Sequence, residues 1–261
     1  MELDAPAHWR CVDFISDLHL QASDPETFAV WQHYLIATPA DAVFMLGDLF
    51  EVWVGDDALS ATDGFEACCV DTIKNAAQKS KLFIMHGNRD FLMGQRLMQA
   101  CNAELLPDPF VLNYGGQRWL LSHGDALCLA DQPYQQFRAM VRSTGWQSDF
   151  LSKPLAERLA VARSIRAQSE ARKMQSEGYV DLDETAVLEQ LKLHNAATMI
   201  HGHTHQPRNH SLGKGRQRVV LSDWDASAVP PRAEVLRIRL DQQGRADAVR
   251  IPPSSAANSP A

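Results

Sequence analysis

CVDFISDLHL (residues 11–20) decides how this chain reads. Residues 11–16 are rich in strand formers, the run breaks at Asp17, and His19 follows two residues on. Two later stretches repeat the arrangement. AVFMLGDLF (42–50) is an apolar run that ends at Gly47-Asp48, and LFIMHGNRD (82–90) is one that ends at His86-Gly87-Asn88. Residues 25–37 and 64–79, between these runs, read as helices. The order is therefore strand, helix, strand, helix, strand, which is an α/β layered core. In such cores ligands bind beyond the carboxyl ends of the strands, where these Asp, His and Asn residues fall.

Further along, 109–113 and 117–122 flank Gly115-Gly116, a hairpin signal, and 197–200, 217–222, 233–240 and 246–250 read as more strands, with more antiparallel character than the first half. Residues 131–177 differ. They are dominated by Ala, Arg, Gln, Glu and Leu, and Leu151, Leu155, Leu159, Ala162, Ile165 and Ser169 recur at helical spacing. This predicts a core over 10–125 and 179–250, a helical insertion over 126–178 and a disordered tail over 251–261. The Leu stripe reads either as packing on the core or as the lining of an apolar cleft.

The chain has 261 residues, 45% of them hydrophobic, enough to bury a sizeable core. Net charge is −7, which argues against duplex nucleic acid as a partner. That charge is unevenly spread. Residues 126–178 carry eight basic and five acidic side chains, whereas the rest carry seventeen and twenty-seven. A basic helical insertion thus sits on an acidic core, either as a solvated face or as a cap over an anionic ligand. The start has no signal-peptide pattern, and no window approaches the ~20 apolar residues of a membrane span. Five cysteines without a CxxC pattern read as reduced, mostly buried small hydrophobes of a cytoplasmic protein.

The chemistry concentrates in five short motifs: Asp17-Leu18-His19, Gly47-Asp48, Gly87-Asn88-Arg89-Asp90, Ser122-His123-Gly124-Asp125 and His201-Gly202-His203-Thr204-His205. In extended chain, residues i and i+2 share a side, so Asp17 with His19, and His203 with His205, can each serve one ion. Asp48 adds a carboxylate able to bridge two ions, Asn88 a carbonyl oxygen and His123 a further imidazole. Seven oxygen and nitrogen donors without thiolate suit two divalent ions such as manganese, iron or zinc. Such a pair acidifies and orients water and neutralises charge on a phosphate. Taken singly, each motif is also compatible with a turn, a cap or a satisfied histidine. Their order and their places at strand ends favour the site. His8, His33, His194 and His210 have no partner pattern, and His86 and His201 read as neighbours that support the ligands. Asp56-Asp57 read as part of a solvated loop or, alternatively, as support for the site or contacts to the substrate.

These motifs resemble the calcineurin-like metallophosphoesterase superfamily, a β-sandwich flanked by helices with a two-metal site at strand ends. Most of its members carry His after the motif Asn, where this chain has Arg89. The longer strings GDLFEVWVGDD (47–57), HGNRDFLMG (86–94), LSHGDALC (121–128), YQQFR (134–138) and HGHTHQP (201–207) resemble the branch that hydrolyses UDP-2,3-diacylglucosamine in lipid A biosynthesis. The resemblance spans roughly residues 10–225. It implies a manganese-dependent hydrolase in which water attacks the α-phosphorus, giving UMP and 2,3-diacylglucosamine 1-phosphate. It implies one ion on Asp17, His19, Asp48 and His205, and the other on Asp48, Asn88, His123 and His203. Asp48, Asn88, Arg89 and His123 are then the catalytic residues. Asn88, Arg89, Asp131, Ser169, Lys173, Ser176 and His203 are then the substrate contacts. The implied setting is a monomer attached peripherally to the cytoplasmic face of the inner membrane, which suits a basic insertion near anionic lipid. A related phosphodiesterase or pyrophosphatase acting on a soluble nucleotide, or a non-catalytic scaffold of the same fold, would share much of this pattern. All seven donor positions being filled argues against the scaffold.

Overall fold

Three parallel strands buried on both faces, Cys11–Ile15, Ala42–Leu46 and Lys81–Met85, form the centre of the computed structural model, which describes residues 1–60, 64–175 and 180–258. Among the described residues the elements run β1 (Glu2–Asp4), β2 (Cys11–Ile15), α1 (Pro25–Ala37), β3 (Ala42–Leu46), α2 (Phe65–Ala76), β4 (Lys81–Met85), α3 (Gln95–Cys101), β5 (Glu104–Leu106), β6 (Phe110–Tyr114) and β7 (Gln117–Ser122). They continue α4 (Gln132–Val141), α5 (Thr144–Leu151), α6 (Leu155–Gln175), α7 (Glu184–Leu193), β8 (Thr198–His201), β9 (Arg208–Ser211), β10 (Gln217–Val220), β11 (Val235–Leu240), β12 (Ala246–Ile251) and α8 (Pro253–Asn258).

Two six-stranded sheets result, one in the order β12-β11-β2-β3-β4-β5 and the other β1-β6-β7-β8-β10-β9. Alternation within the strands builds the layers. Val12, Phe14, Phe44 and Met85 face the second sheet and meet Phe110, Leu121 and Ile200 there. The intervening Ile15, Val43, Met45 and Ile84 face the other way, onto Trp31 and Leu35 of α1, Ile73 of α2 and Leu97 of α3. Val111, Leu120 and Met199 take Val187 and Leu191 of α7 on the outer face of the second sheet. The molecule is thus helix, sheet, sheet, helix, the helix-flanked sandwich that the motifs implied. Phe14, Phe44 and Phe83 stand at paired positions and stack, with ring centroids 5.1 and 4.6 Å apart.

Asp13 and Arg237 are paired across β2 and β11, and both are fully buried. Nε and Nη2 of Arg237 donate to the two carboxylate oxygens at 2.7 Å, while the Tyr34 and Thr38 hydroxyls donate to Oδ2 at 2.9 and 2.8 Å. A bidentate pair with its lone pairs satisfied tolerates burial, but a lone member does not.

The hairpin at Gly115-Gly116 forms as expected. Both glycines have positive φ, 61° and 70°, as the tight turn between β6 and β7 requires. The helix-rich segment 131–177 resolves into α4, α5 and α6. Asp131 and Ser143 cap the first two by accepting from Tyr134 N and Trp146 N. α4–α6 lie between β7 and β8, which are parallel neighbours in the sheet, and α7 alone makes the crossover that packs on that sheet. Leu155 and Leu159 pack against the core, whereas Leu151 is 43% exposed, so the packing reading holds for the first two. The tail differs from expectation. Residues 253–258 form α8, with Ala256 buried in the core cluster that includes α1, because its small side chains let it lie close. The short strands β1, β5 and β9 and the helices α3 and α7 are further elements that the periodicity did not bring out.

Asp13→Ala is expected to lower unfolding free energy by about 3–5 kcal/mol, since it strands Arg237 in an apolar layer. Combining it with Arg237→Met should recover much of that loss in urea denaturation. Equal loss in the double variant would refute the pairing argument.

Candidate metal centre

All five motifs lie at the carboxyl ends of parallel strands: Asp17 after β2, Asp48 after β3, Asn88 after β4, His123 after β7 and His203 after β8. The first three strands belong to one sheet and the last two to the other, so the donors face each other across the open end of the sandwich. Backbone bonds hold the loops together: Asp17 N–H to Gly47 O at 3.1 Å, His19 N–H to Asp48 O at 3.0 Å and Gly202 N–H to His123 O at 3.0 Å.

Five of the seven donors have left-handed backbones: Asp17 (φ 53°), His19 (48°), Asp48 (52°), His203 (66°) and His205 (52°). This conformation is unfavourable for residues with a Cβ and persists only where surroundings enforce it, typically at functional sites. Two glycines permit the crowding. A Cβ on Gly87 would lie 2.1 Å from Asp48 Oδ1, and one on Gly202 would lie 2.3 Å from Asp17 Oδ2.

The side chains converge. His19 Nε2 is 3.2 Å from His205 Nε2, which is 3.3 Å from Asp17 Oδ1. Asn88 Oδ1 is 2.9 Å from His203 Nδ1 and 3.1 Å from His123 Nε2. Asp48 stands between the two groups, its Oδ2 3.9 Å from His19 Nδ1 and its Oδ1 3.8 Å from His123 Nε2. Donor atoms of Asp17, His19 and His205 lie within 4.8 Å of one another, as do those of Asp17, Asp48 and His123. Asp17 therefore reaches both groups, alongside the Asp48 carboxylate expected to bridge them.

These residues fit divalent cations. Asp17 Oδ1 and His19 Nδ1 are buried without a hydrogen-bond partner, which is costly unless a cation compensates them. The donors are oxygen and nitrogen throughout. The supporting bonds are of the kind that orient metal-binding imidazoles. His123 Nδ1 lies 2.9 Å from Leu46 O, leaving Nε2 toward the centre, and His205 Nδ1 lies 3.7 Å from Asp223 Oδ2.

Charge settles unequally on the donors. Burial opposes ionisation of Asp17, yet His205, His123 and His19 outweigh it and hold its carboxyl far below the usual range. Burial likewise opposes charge on His123, but Asp48, Asp17 and Asp125 overcome it and push the imidazole up to about 9. His203, desolvated and beside a cationic His123, falls to about 3.

Several acidic residues inside the motifs support the centre. Asp90 accepts from Gly87 N–H at 2.7 Å and from Leu49 and Phe50 N–H at 2.7 and 3.3 Å, stitching two donor loops together. Asp125 is buried and receives the Tyr134 hydroxyl, Arg138 Nε at 2.8 Å and, at its carbonyl, Gln135 Nε2 at 2.8 Å. Tyr134 also stacks on His203, with ring centroids 6.1 Å apart. This accounts for the Tyr, Gln and Arg of YQQFR.

Of the expected substrate contacts, Arg89 sits at the mouth, its N–H on Asp48 Oδ1 at 2.9 Å and its Nη1 on Glu51. Asp131 uses Oδ1 to cap α4. Positions 169 and 173 lie on α6, with side chains outside the described residues, and Ser176 lies outside them altogether. His86 bonds the carbonyl of Met93 at 2.7 Å, and His201 lies 3.4 Å from Arg218, so neither points its bonded nitrogen at the centre. Asp56 corrects the solvated-loop expectation, whereas the Asp57 side chain stays 45% exposed. Asp56 accepts from Gly94 and Leu97 N–H at the start of α3, and Asp57 pairs with the buried Arg158 of α6. Short-range sequence gives no sign of a partner a hundred residues away.

The profile of the calcineurin-like phosphoesterase family matches residues 12–207. A UDP-2,3-diacylglucosamine hydrolase of Chromobacterium violaceum is 46% identical over 223 residues, 82% of this chain and 90% of that one. One from Bordetella pertussis is 42% identical over 87% of this chain and 90% of its own, and one from Chromohalobacter salexigens 40% over 80% and 87%.

Binding of a divalent ion should expel the His123 proton. His123 is protonated below about 9, so apparent affinity should rise roughly tenfold per pH unit per proton released between pH 6 and 9, and then level off. Calorimetric titration in buffers of different ionisation enthalpy reads that release. A pH-independent affinity with no proton release would contradict it.

Proposed function

The chain belongs to the calcineurin-like phosphoesterase family, and from that premise we propose that it hydrolyses the pyrophosphate bond of UDP-2,3-diacylglucosamine. Water attacks the α-phosphorus, and the products are UMP and 2,3-diacylglucosamine 1-phosphate. The observation that carries the reading is the reach of the similarity. The Chromobacterium violaceum hydrolase is 46% identical over 223 residues, which cover 82% of this chain and 90% of that one.

In this reading Asp17, His19, Asp48 and His205 hold one ion, and Asp48, Asn88, His123 and His203 hold the other. Two divalent ions so held, manganese in this proposal, supply Lewis-acid polarisation of the phosphate and activation of water. Asn88 and His203 also face the substrate. Arg89 presents permanently charged donors to the phosphate oxygens at the mouth of the centre. The leaving group is a sugar phosphate, acidic enough to depart without a strong general acid, which fits Arg89 standing where most relatives of this fold have His.

The cap supplies the rest. Arg166 of α6 reaches Glu51 beside the centre, and positions 169 and 173 follow it at i+3 and i+7, on the same helical stripe. Ser169 and Lys173, together with Ser176, are proposed as sugar and phosphate contacts. Asp131, at the start of α4, is proposed to take a sugar hydroxyl with its second oxygen. Leu129, Met140 and Leu151 are 41, 50 and 43% exposed on the segment that carries α4 and α5, and these apolar side chains are proposed to meet acyl chains or the membrane surface. No helix among the described residues is long and apolar enough to cross a membrane.

Release of UMP from the diacylated substrate, with and without manganese, tests the reading. Asp48→Ala should lose at least about a thousandfold in turnover, on the scale of a catalytic group removed from a metal-assisted hydrolysis. Near wild-type release, or equal turnover of the deacylated UDP-sugar, would overturn the proposal. Flotation with anionic vesicles should recover the protein, and Met140→Ser with Leu151→Ser should reduce recovery. Absence of flotation on anionic lipid would exclude the membrane arm.

A further inference from the structure

Glu51 lies in the stretch after β3 and holds none of the roles described so far, yet its carboxylate is the meeting point of three elements. Arg89 Nη1, from the loop after β4, bonds Oε2, and Arg166 Nη2, from cap helix α6, bonds Oε1. His19 Nδ1 is 3.5 Å from Oε2. Its own N–H donates to Leu20 O at 3.2 Å, which fixes the Glu51 backbone to the donor loop after β2. The side chain is only 19% exposed, so these contacts are not the screened pairs of an open surface.

The position of Arg89 needs an explanation. Its Nε lies 3.4 Å from Asp48 Oδ2 and is buried without a hydrogen bond, while Nη1 is drawn away to Glu51. A guanidinium beside a single carboxylate closes onto it through two parallel N–H bonds. Here a second carboxylate prevents that closure. If Glu51 lost its charge, Asp48 would be the remaining anion within reach of Arg89. The guanidinium would then turn inward, occupying a carboxylate that the cations need and withdrawing its donors from the mouth. The same carboxylate registers α6, through Arg166, on the loop that carries Asp48.

We propose that Glu51 is a positioning residue, holding Arg89 off Asp48 and aimed at the substrate's diphosphate while tying α6 to the same point. The proposal rests on the hydrolysis proposed above, in which Arg89 contacts phosphate.

The test compares Glu51→Gln, Glu51→Asp, Arg89→Ala and the Glu51→Gln/Arg89→Ala double variant, each with thermal unfolding, metal content and UMP release from the diacylated substrate. Glu51→Gln should lower kcat by about ten- to a hundredfold, the scale of one charge-assisted hydrogen bond lost in the transition state, with KM changed less. Glu51→Asp should restore part of the rate. Arg89→Ala should cost little more in the Glu51→Gln background than Glu51→Gln costs alone, because the first residue acts through the second. Losses that multiply in the double variant, or a Glu51→Gln enzyme whose rate is unchanged or falls only with its thermal stability, would overturn the positioning role. If wild-type protein releases no UMP, it is the underlying hydrolysis reading that fails, whereas a fully active Arg89→Ala enzyme would leave the hydrolysis standing and overturn the positioning role.

Discussion

Two acidic side chains and four imidazoles can gather at one point only if the loops that carry them pass at van der Waals distance. That approach rests on two residues without side chains, Gly87 beneath Asp48 and Gly202 beneath Asp17. A methyl group at either would push apart loops that come from different strands, and in the second case from different sheets. The left-handed backbones of Asp17, His19, Asp48, His203 and His205 follow from the same crowding. Stiff parallel strands deliver the loops, inter-loop hydrogen bonds lock them, and the resulting strain is carried by the sandwich core rather than relieved.

The insertion is fastened to this centre by charge rather than by an apolar seam alone. Asp125 takes Tyr134 and Arg138, Glu51 takes Arg166, Asp57 takes Arg158, and Arg142 donates to the carbonyl of Gly87 at 2.8 Å. Each tie pairs a basic or hydroxyl-bearing residue of the helices with an acceptor on or beside a donor loop. Four of the eight basic residues of 126–178, Arg138, Arg142, Arg158 and Arg166, are thus engaged at the junction. Arg89 stands beside them, between the carboxylates of Asp48 and Glu51.

The donor set was legible because its members come in local patterns: i and i+2 pairs, and Asp or Asn directly after a glycine at a strand end. Such patterns need no knowledge of tertiary partners. Asp90, Asp125 and Glu51 stood in the same quoted motifs but could not be told from ligands or surface acids. Their function is fixed in part by groups up to 115 residues away, among them Arg138 and Arg166. Asp56 was misread for the same reason. The layered core was legible from its buried apolar runs. The strands β1, β5 and β9 were not, since three or four residues at a sheet edge carry too little periodicity. The helix over 253–258 was hidden by its Pro, Ser and Ala composition, and only the surface of α1 explains why it forms.

The sheet order joins β2, whose loop carries Asp17 and His19, to β11, through the buried Asp13–Arg237 pair. During synthesis the strand that completes this neighbourhood leaves the ribosome more than two hundred residues after the strand it flanks. His203 and His205 also emerge late. The amino-terminal donors therefore wait, half assembled, until β8, the histidines that follow it and β11 have been made, and the donor set is not complete before then. A truncated nascent chain would be left with an open sheet edge and an incomplete set of donors.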